Sequence, residues 1–106
     1  MEQERRSTAR IPFNASAEIV DLADTRFKTR VTELSRDGCY LNNLTALKIG
    51  APVVIKIFSD IDFFEARAQV ASVHSNLGTG LSFLDVEPPY LPVLQKWLVA
   101  ANPERK

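Results

Sequence analysis

The sequence predicts an all-β domain of about six short strands, completed by one C-terminal helix. Two observations lead to this prediction. Apolar and polar residues alternate in successive short runs, and near the C-terminus the apolar spacing changes to three and four residues. Because only one segment has helical spacing, no crossover helices and no parallel sheet are expected. Short strands joined by turns favour an antiparallel barrel or sandwich.

Strand-like alternation begins at Ile11, which shares one face with Phe13 and Ala15. Further strand-like runs span residues 26–32, 39–41, 53–58, 64–73 and 80–84. Turn-forming residues fill the intervals 21–25, 33–38, 59–62 and 75–78. In the run 64–73 the apolar phase shifts, which predicts a β-bulge near Val70 and Ala71.

The C-terminal region predicts a helix over about residues 88–101. Leu91, Leu94, Trp97 and Leu98 recur at helical spacing and form one apolar stripe. Burial of this stripe is simplest if the helix lies across one open end of a barrel.

Length and composition indicate a single globular domain. The chain has 106 residues and a formal net charge of zero, so it exerts no long-range pull on nucleic acid or membranes. No apolar run approaches the roughly 20 residues of a membrane-spanning helix, and a single cysteine fits a reducing compartment. We therefore expect a cytoplasmic protein without membrane insertion, with a flexible Arg-rich segment at 1–10 and a barrel domain at 11–102.

Enzyme activity finds little support in the sequence, and neither a metal site nor a cofactor is expected. His74 is the only histidine and Cys39 the only cysteine, too few soft ligands for a zinc site. Cys39 is expected to be a small core residue, and His74 a structural or exposed one.

An arginine cluster in the N-terminal segment indicates a binding function. Arg6 and Arg10 are four residues apart, so in a flexible tail both guanidinium groups can close on one ligand, with Arg5 beside them. An arginine fork pairs bidentately with phosphate oxygens and with O6 and N7 of guanine.

The stretch Thr32 to Leu41 offers complementary chemistry. The carboxylate of Glu33 can accept hydrogen bonds from the N1–H and amino edge of guanine. Ser35 can donate or accept one further bond. Gly38 lets the backbone turn sharply or approach a ligand closely. Together with the arginines, this stretch predicts a site for an anion and a purine.

At these residues the sequence resembles the PilZ domain family. Residues 5–10 (RRSTAR) are similar to its RxxxR motif with the frequent extra arginine, and residues 33–38 (ELSRDG) match its (Asp/Asn)-x-Ser-x-x-Gly motif at Ser and Gly. Residues 80–83 (GLSF) resemble the family's late Gly-x-x-Phe strand. The resemblance covers nearly all of the chain and implies a six-stranded antiparallel β-barrel with a C-terminal helix.

The resemblance further implies a receptor for the bacterial second messenger cyclic di-GMP, often bound as an intercalated dimer. By motif position, Arg6 and Arg10 would hold phosphate and guanine with Arg5 assisting, while Ser35 and Gly38 would line the guanine pocket. Binding would wrap the arginine segment onto the barrel and signal to an effector protein that the sequence does not identify.

Glu33 departs from the family pattern, in which this position is Asp or Asn. Glutamate keeps the charge but adds a methylene, and a misfit at a hydrogen-bonding site costs ~1–3 kcal/mol, or roughly 5- to 150-fold in affinity. The sequence therefore leaves an alternative open: a degenerate PilZ-fold protein-interaction module that does not bind the nucleotide.

A cationic strand face suggests a third reading, a small barrel that binds single-stranded nucleic acid. Arg26, Lys28 and Arg30 share one face of a predicted strand. Nucleic-acid grooves usually interleave such charges with aromatic residues, but Phe27 falls on the opposite face. We therefore expect no DNA or RNA partner.

Overall fold

The computed structural model describes residues 10–42, 44 and 47–101. In this part of the chain, six strands precede one short 3₁₀ turn and one helix. They are β1 (Ile11–Asp21), β2 (Arg26–Ser35), β3 (Gly38–Asn42), β4 (Pro52–Phe58), β5 (Phe63–His74), β6 (Gly78–Asp85), the 3₁₀ turn (Pro88–Tyr90) and α1 (Leu91–Ala101). The strands close into a barrel in the order β1-β2-β3-β6-β5-β4, and all neighbours are antiparallel. The predicted six-stranded antiparallel barrel with one C-terminal helix is confirmed.

The barrel interior is filled by the apolar residues that alternate along each strand. On β1, Ala17 and Ile19 are buried, and their partners on β4 are Ile57 and Ile55. At Ala17 the small side chain of β1 faces the larger side chain of Ile57 on β4, which suits the narrow interior of a small barrel. Each of the fully buried isoleucines contributes about 1.5–3 kcal/mol to folding relative to an exposed one.

The β2–β3 connection is shorter than the sequence predicts. The expected polar turn over residues 33–38 is wrong in extent, because β2 continues through Ser35 and only residues 36–37 link it to β3. The strand continues because Leu34 is fully buried in the core and pairs with Ile11 of β1. Glu33 consequently belongs to a strand and not to a turn.

Strand β6 differs in register and length from a simple continuous ladder. The pairing of β5 with β6 shifts between Val70 and Ser72, which confirms the predicted bulge. β6 begins at Gly78, earlier than the predicted Gly80, since Gly78 already pairs with Asn42 of β3.

Helix α1 closes one end of the barrel, as predicted. β1 and β5 are both antiparallel to β4, so their first residues lie at the same end. There the ring of Trp97 packs with its centroid 5.0 Å from that of Phe13 on β1 and 6.1 Å from that of Phe64 on β5. Trp97 and Leu94 are both buried. Among the residues described above, no helix is long and apolar enough to cross a membrane.

Candidate functional site

A groove of about 260 Å³ lies on the outer surface of the barrel beside the β2–β3 hairpin. The residues that line this hairpin groove include Arg10, Glu33, Ser35, Gly38, Tyr40, Ser72, Gly80 and Ser82. The first four were singled out from the sequence, and the fold brings them together. Arg5 and Arg6 belong to residues 1–9, which lie outside the described residues, as does the predicted flexible segment apart from Arg10.

Ser35 organises the hairpin turn. Its hydroxyl accepts hydrogen bonds from the backbone N–H groups of Asp37 (3.2 Å) and Gly38 (3.1 Å), and it donates to the carbonyl oxygen of Gly38 (3.3 Å). A serine hydroxyl has one donor and two acceptor positions, so its capacity is filled. In this structure Ser35 therefore shapes the groove, and a direct bond to a ligand stays a prediction.

Gly38 is required by the close approach of β3 to β6. It pairs with Ser82, and a Cβ built on Gly38 would lie 2.0 Å from the backbone carbonyl oxygen of Leu81. The next backbone contact reinforces this approach, since the N–H of Phe83 donates to the carbonyl oxygen of Asp37 over 2.7 Å. The close approach that the structure shows at Gly38 is one of backbone to backbone at the floor of the groove, and the predicted approach of Gly38 to a ligand stays a prediction.

Arg10 and Glu33 form an ion pair at the rim of the groove. Arg10 precedes β1, and Pro12 pairs with Glu33, which places the two charged side chains side by side. Arg10 Nη1 lies 3.5 Å from Glu33 Oε1, and the side chains are 60% and 46% exposed. A pair this exposed contributes about 0–1 kcal/mol. Both groups therefore remain available to a ligand at little cost.

The groove is also lined by Tyr40, Ser72, Gly80 and Ser82, none of which was predicted from the sequence to be a site residue. Tyr40 lies directly opposite Glu33 in the β2–β3 ladder. The signal for it was present, because Cys39 and Leu41 are apolar and Tyr40 between them must face outward. Ser72, Gly80 and Ser82 enter through pairing of β6 with β3 and β5, which no local pattern reveals.

Cys39 and His74 occupy the places that the sequence predicted for them. Cys39 is a buried core residue, and burial raises the pKa of its thiol to about 12. His74 is exposed, with Nδ1 3.1 Å from the hydroxyl oxygen of Tyr40. In the part of the chain that the structure describes, no group of three His, Cys, Asp or Glu residues could hold a metal ion.

Because Cys39 is buried, its thiol should react slowly with alkylating reagents in the folded protein. At pH 8 the folded protein should react with iodoacetamide far more slowly than free cysteine, because the thiolate is the reactive form and this thiol stays protonated. Mass spectrometry of the alkylated chain measures the rate, and the same reaction in denaturant is the control. Rapid alkylation of the folded chain would contradict the buried, protonated thiol.

The cationic face of β2 lies outside the groove. Arg26 pairs with Glu18 (3.4 Å) and Asp24 (3.7 Å), while Lys28 and Arg30 are exposed. Phe27 lies half-buried on the other face, so no aromatic side chain interleaves with these charges. Along β2, these cations therefore do not alternate with the stacking residues that grooves for single-stranded nucleic acid usually contain.

Comparison with known proteins identifies one family. The model of the PilZ domain matches residues 4–100. No curated protein matches the chain with significant similarity.

Among solved structures, the PilZ domain of YcgR from Escherichia coli, determined with cyclic di-GMP, has a TM-score of 0.73 and 18% identity, covering 92% of this chain and 91% of that one. The PilZ domain of CeSA from a cellulose-synthesising bacterium has a TM-score of 0.70 and 16% identity, and the match covers 89% of this chain and 99% of that one. The Bacillus subtilis inhibitor of motility MotI/DgrA has a TM-score of 0.71 and 15% identity, covering 89% of this chain and 49% of that one. At these identities the likenesses establish the fold.

Proposed function

Because this chain belongs to the PilZ domain family, a family of cyclic di-GMP receptors, we propose that it binds cyclic di-GMP in the hairpin groove and acts as a binding module without catalysis. The observation that supports this proposal most is the convergence of Arg10, Glu33, Ser35 and Gly38 on one groove. These residues come from two separate sequence motifs, and the family match begins at residue 4, ahead of the arginine cluster.

The groove offers both kinds of chemistry that a guanine nucleotide needs. The Glu33 carboxylate would accept from the N1–H and amino groups of guanine, and Arg10 would turn its fork from Glu33 to a phosphate or to O6 and N7 of the base. Because the Arg10–Glu33 pair is exposed, its replacement by ligand contacts costs little.

The volume of the groove bears on stoichiometry. About 260 Å³ lies just below the roughly 300–1,000 Å³ of typical ligand pockets. A groove of this size is too small to enclose an intercalated dimer of the ligand. Part of the ligand would therefore lie outside the groove, where Arg5 and Arg6 would contact it.

Signalling would follow from the position of Arg10 immediately before β1. A ligand held by Arg6 and Arg10 would draw the N-terminal segment onto the hairpin groove. The resulting surface, composed of segment, ligand and barrel, would then be recognised by an effector protein. Recognition of this kind requires no chemistry at the bound nucleotide.

Isothermal titration calorimetry of the full chain with cyclic di-GMP tests the proposal. We expect saturable heat at micromolar ligand, and an unchanged isotherm for Arg30→Ala, which removes an exposed cation that does not line the groove. The absence of heat at high micromolar ligand would overturn the proposal.

The alternative function is a protein-interaction module that does not bind the nucleotide, and Glu33 is the observation that favours it. Its side chain is one methylene longer than the Asp or Asn of the family motif, which displaces the acceptor oxygens from the position that the motif gives them.

Glu33→Asp separates the two functions. If the wild-type chain binds, the aspartate variant should bind about 5-fold more tightly or better, because a misfit of ~1 kcal/mol is relieved. Calorimetry of both proteins measures the change. Binding by Glu33→Asp alone would establish the alternative, whereas weaker binding by the variant would show that glutamate is the better acceptor at this position.

A further inference from the structure

Tyr40 occupies the centre of the row of residues that crosses the hairpin groove. It lies opposite Glu33 in the β2–β3 ladder and opposite Gly80 in the β3–β6 ladder, and Gly80 in turn pairs with Ser72. All four residues therefore share the outer face of the sheet, and all four line the groove.

The ring of Tyr40 lies over two glycines of β6. A Cβ built on Gly80 would lie 3.6 Å from Tyr40 Cδ1, and one built on Gly78 would lie 3.0 Å from Tyr40 Cε2. These two carbons are at opposite corners of the ring. One face of the ring consequently covers the glycines, and the other face is turned away from the sheet.

Contacts at its hydroxyl fix the ring in this position. The Tyr40 hydroxyl oxygen lies 3.1 Å from His74 Nδ1, and the two ring centroids are 5.9 Å apart with a tilt of 39°. A side chain that is already ordered loses little conformational entropy when a ligand binds to it. A purely structural role, in which the ring covers the backbone of the two glycines, explains the position of one face of the ring. It does not explain why the half-buried ring also forms part of the wall of the groove.

Resting on the function proposed above, we propose that Tyr40 is the stacking platform of the hairpin groove, on which a guanine base of the ligand lies. Glu33 is its direct cross-strand neighbour, and such neighbours have Cβ atoms about 4.5–5.5 Å apart. A base stacked on the ring would therefore present its hydrogen-bonding edge toward the carboxylate. The groove would select an aromatic base in addition to a phosphate, since an anion alone gains nothing from the ring.

The test compares Tyr40→Leu and Tyr40→Phe with the wild-type full chain by calorimetric titration with cyclic di-GMP. Loss of one base–aromatic stack should weaken binding by Tyr40→Leu roughly 5- to 150-fold. Tyr40→Phe keeps the ring and should bind within about 3-fold of wild type, because it loses only the hydrogen bond to His74. Thermal melts of both variants show whether the barrel is still folded after each substitution.

A second measurement needs no variant. In the wild-type chain at saturating cyclic di-GMP, a stacked base should shift the ring protons of Tyr40 upfield in aromatic NMR spectra, while those of Tyr90, which does not line the groove, serve as an internal control. Unshifted Tyr40 protons, or a folded Tyr40→Leu variant that binds like wild type, would overturn the stacking role and leave nucleotide binding intact. A wild-type chain that does not bind would overturn both proposals.

Discussion

Replacing Gly38 by alanine should destabilise the barrel by about 3 kcal/mol or more, the upper end of what overpacking costs. The added Cβ would lie 2.0 Å from the carbonyl oxygen of Leu81, a backbone atom of β6 that cannot move away like a flexible side chain. Relief requires the β3–β6 ladder to separate, which also opens the floor of the hairpin groove. Thermal denaturation followed by circular dichroism should show a melting temperature lower by roughly 10–25 °C.

Gly50→Ala is the matched control for this experiment. Gly50 has φ +91°, but a Cβ there would meet no atom within 4 Å. Alanine at position 50 therefore adds only the backbone strain of a positive φ, about 1–2 kcal/mol. A loss of stability in Gly38→Ala no larger than that in Gly50→Ala would contradict the close approach of β3 and β6.

Removing the two motif arginines should have the largest effect on ligand binding. Arg10→Ala should weaken binding of cyclic di-GMP roughly 10- to 150-fold, since a hydrogen bond to a charged group contributes about 1.5–3 kcal/mol. Removal of Arg6 as well should abolish binding measurable by calorimetry. Stability should hardly change, because the Arg10–Glu33 pair is exposed.

Arg10→Lys and Arg30→Ala are the controls for this loss. Lysine keeps the charge at position 10 but loses the planar fork, so its affinity should fall between those of wild type and Arg10→Ala. Arg30→Ala removes one positive charge from the exposed face of β2 and should leave binding unchanged. Equal losses in Arg30→Ala and Arg10→Ala would show that only net charge matters, and would contradict a site built around Arg10.

The fold could be predicted from local pattern because each strand buries one face. Alternation on β1 and β5 identified the inward residues, and the phase shift near Val70 marked the bulge. Helical spacing from Leu91 onward identified the one element that closes the barrel. These features depend on side chains close in sequence.

The hairpin groove could be predicted only in part, because its walls come from strands distant in sequence. The two motifs supplied Arg10, Glu33, Ser35 and Gly38, but the length of β2 was underestimated since polar residues surround Leu34. The structural requirement for glycine at position 38 could not be predicted either, because the atom that leaves no room for a side chain is the carbonyl oxygen of Leu81, which is distant in sequence. Long-range pairing decides such contacts.

An NMR titration of the uniformly ¹⁵N-labelled chain tests most directly whether the hairpin groove is the binding site for cyclic di-GMP. Binding in the groove should shift the backbone amide signals of Glu33, Ser35, Gly38, Tyr40 and Ser82, and leave those of β4 and the cationic residues Lys28 and Arg30 in place. An unchanged spectrum at saturating ligand, or shifts centred on Lys28 and Arg30, would contradict it.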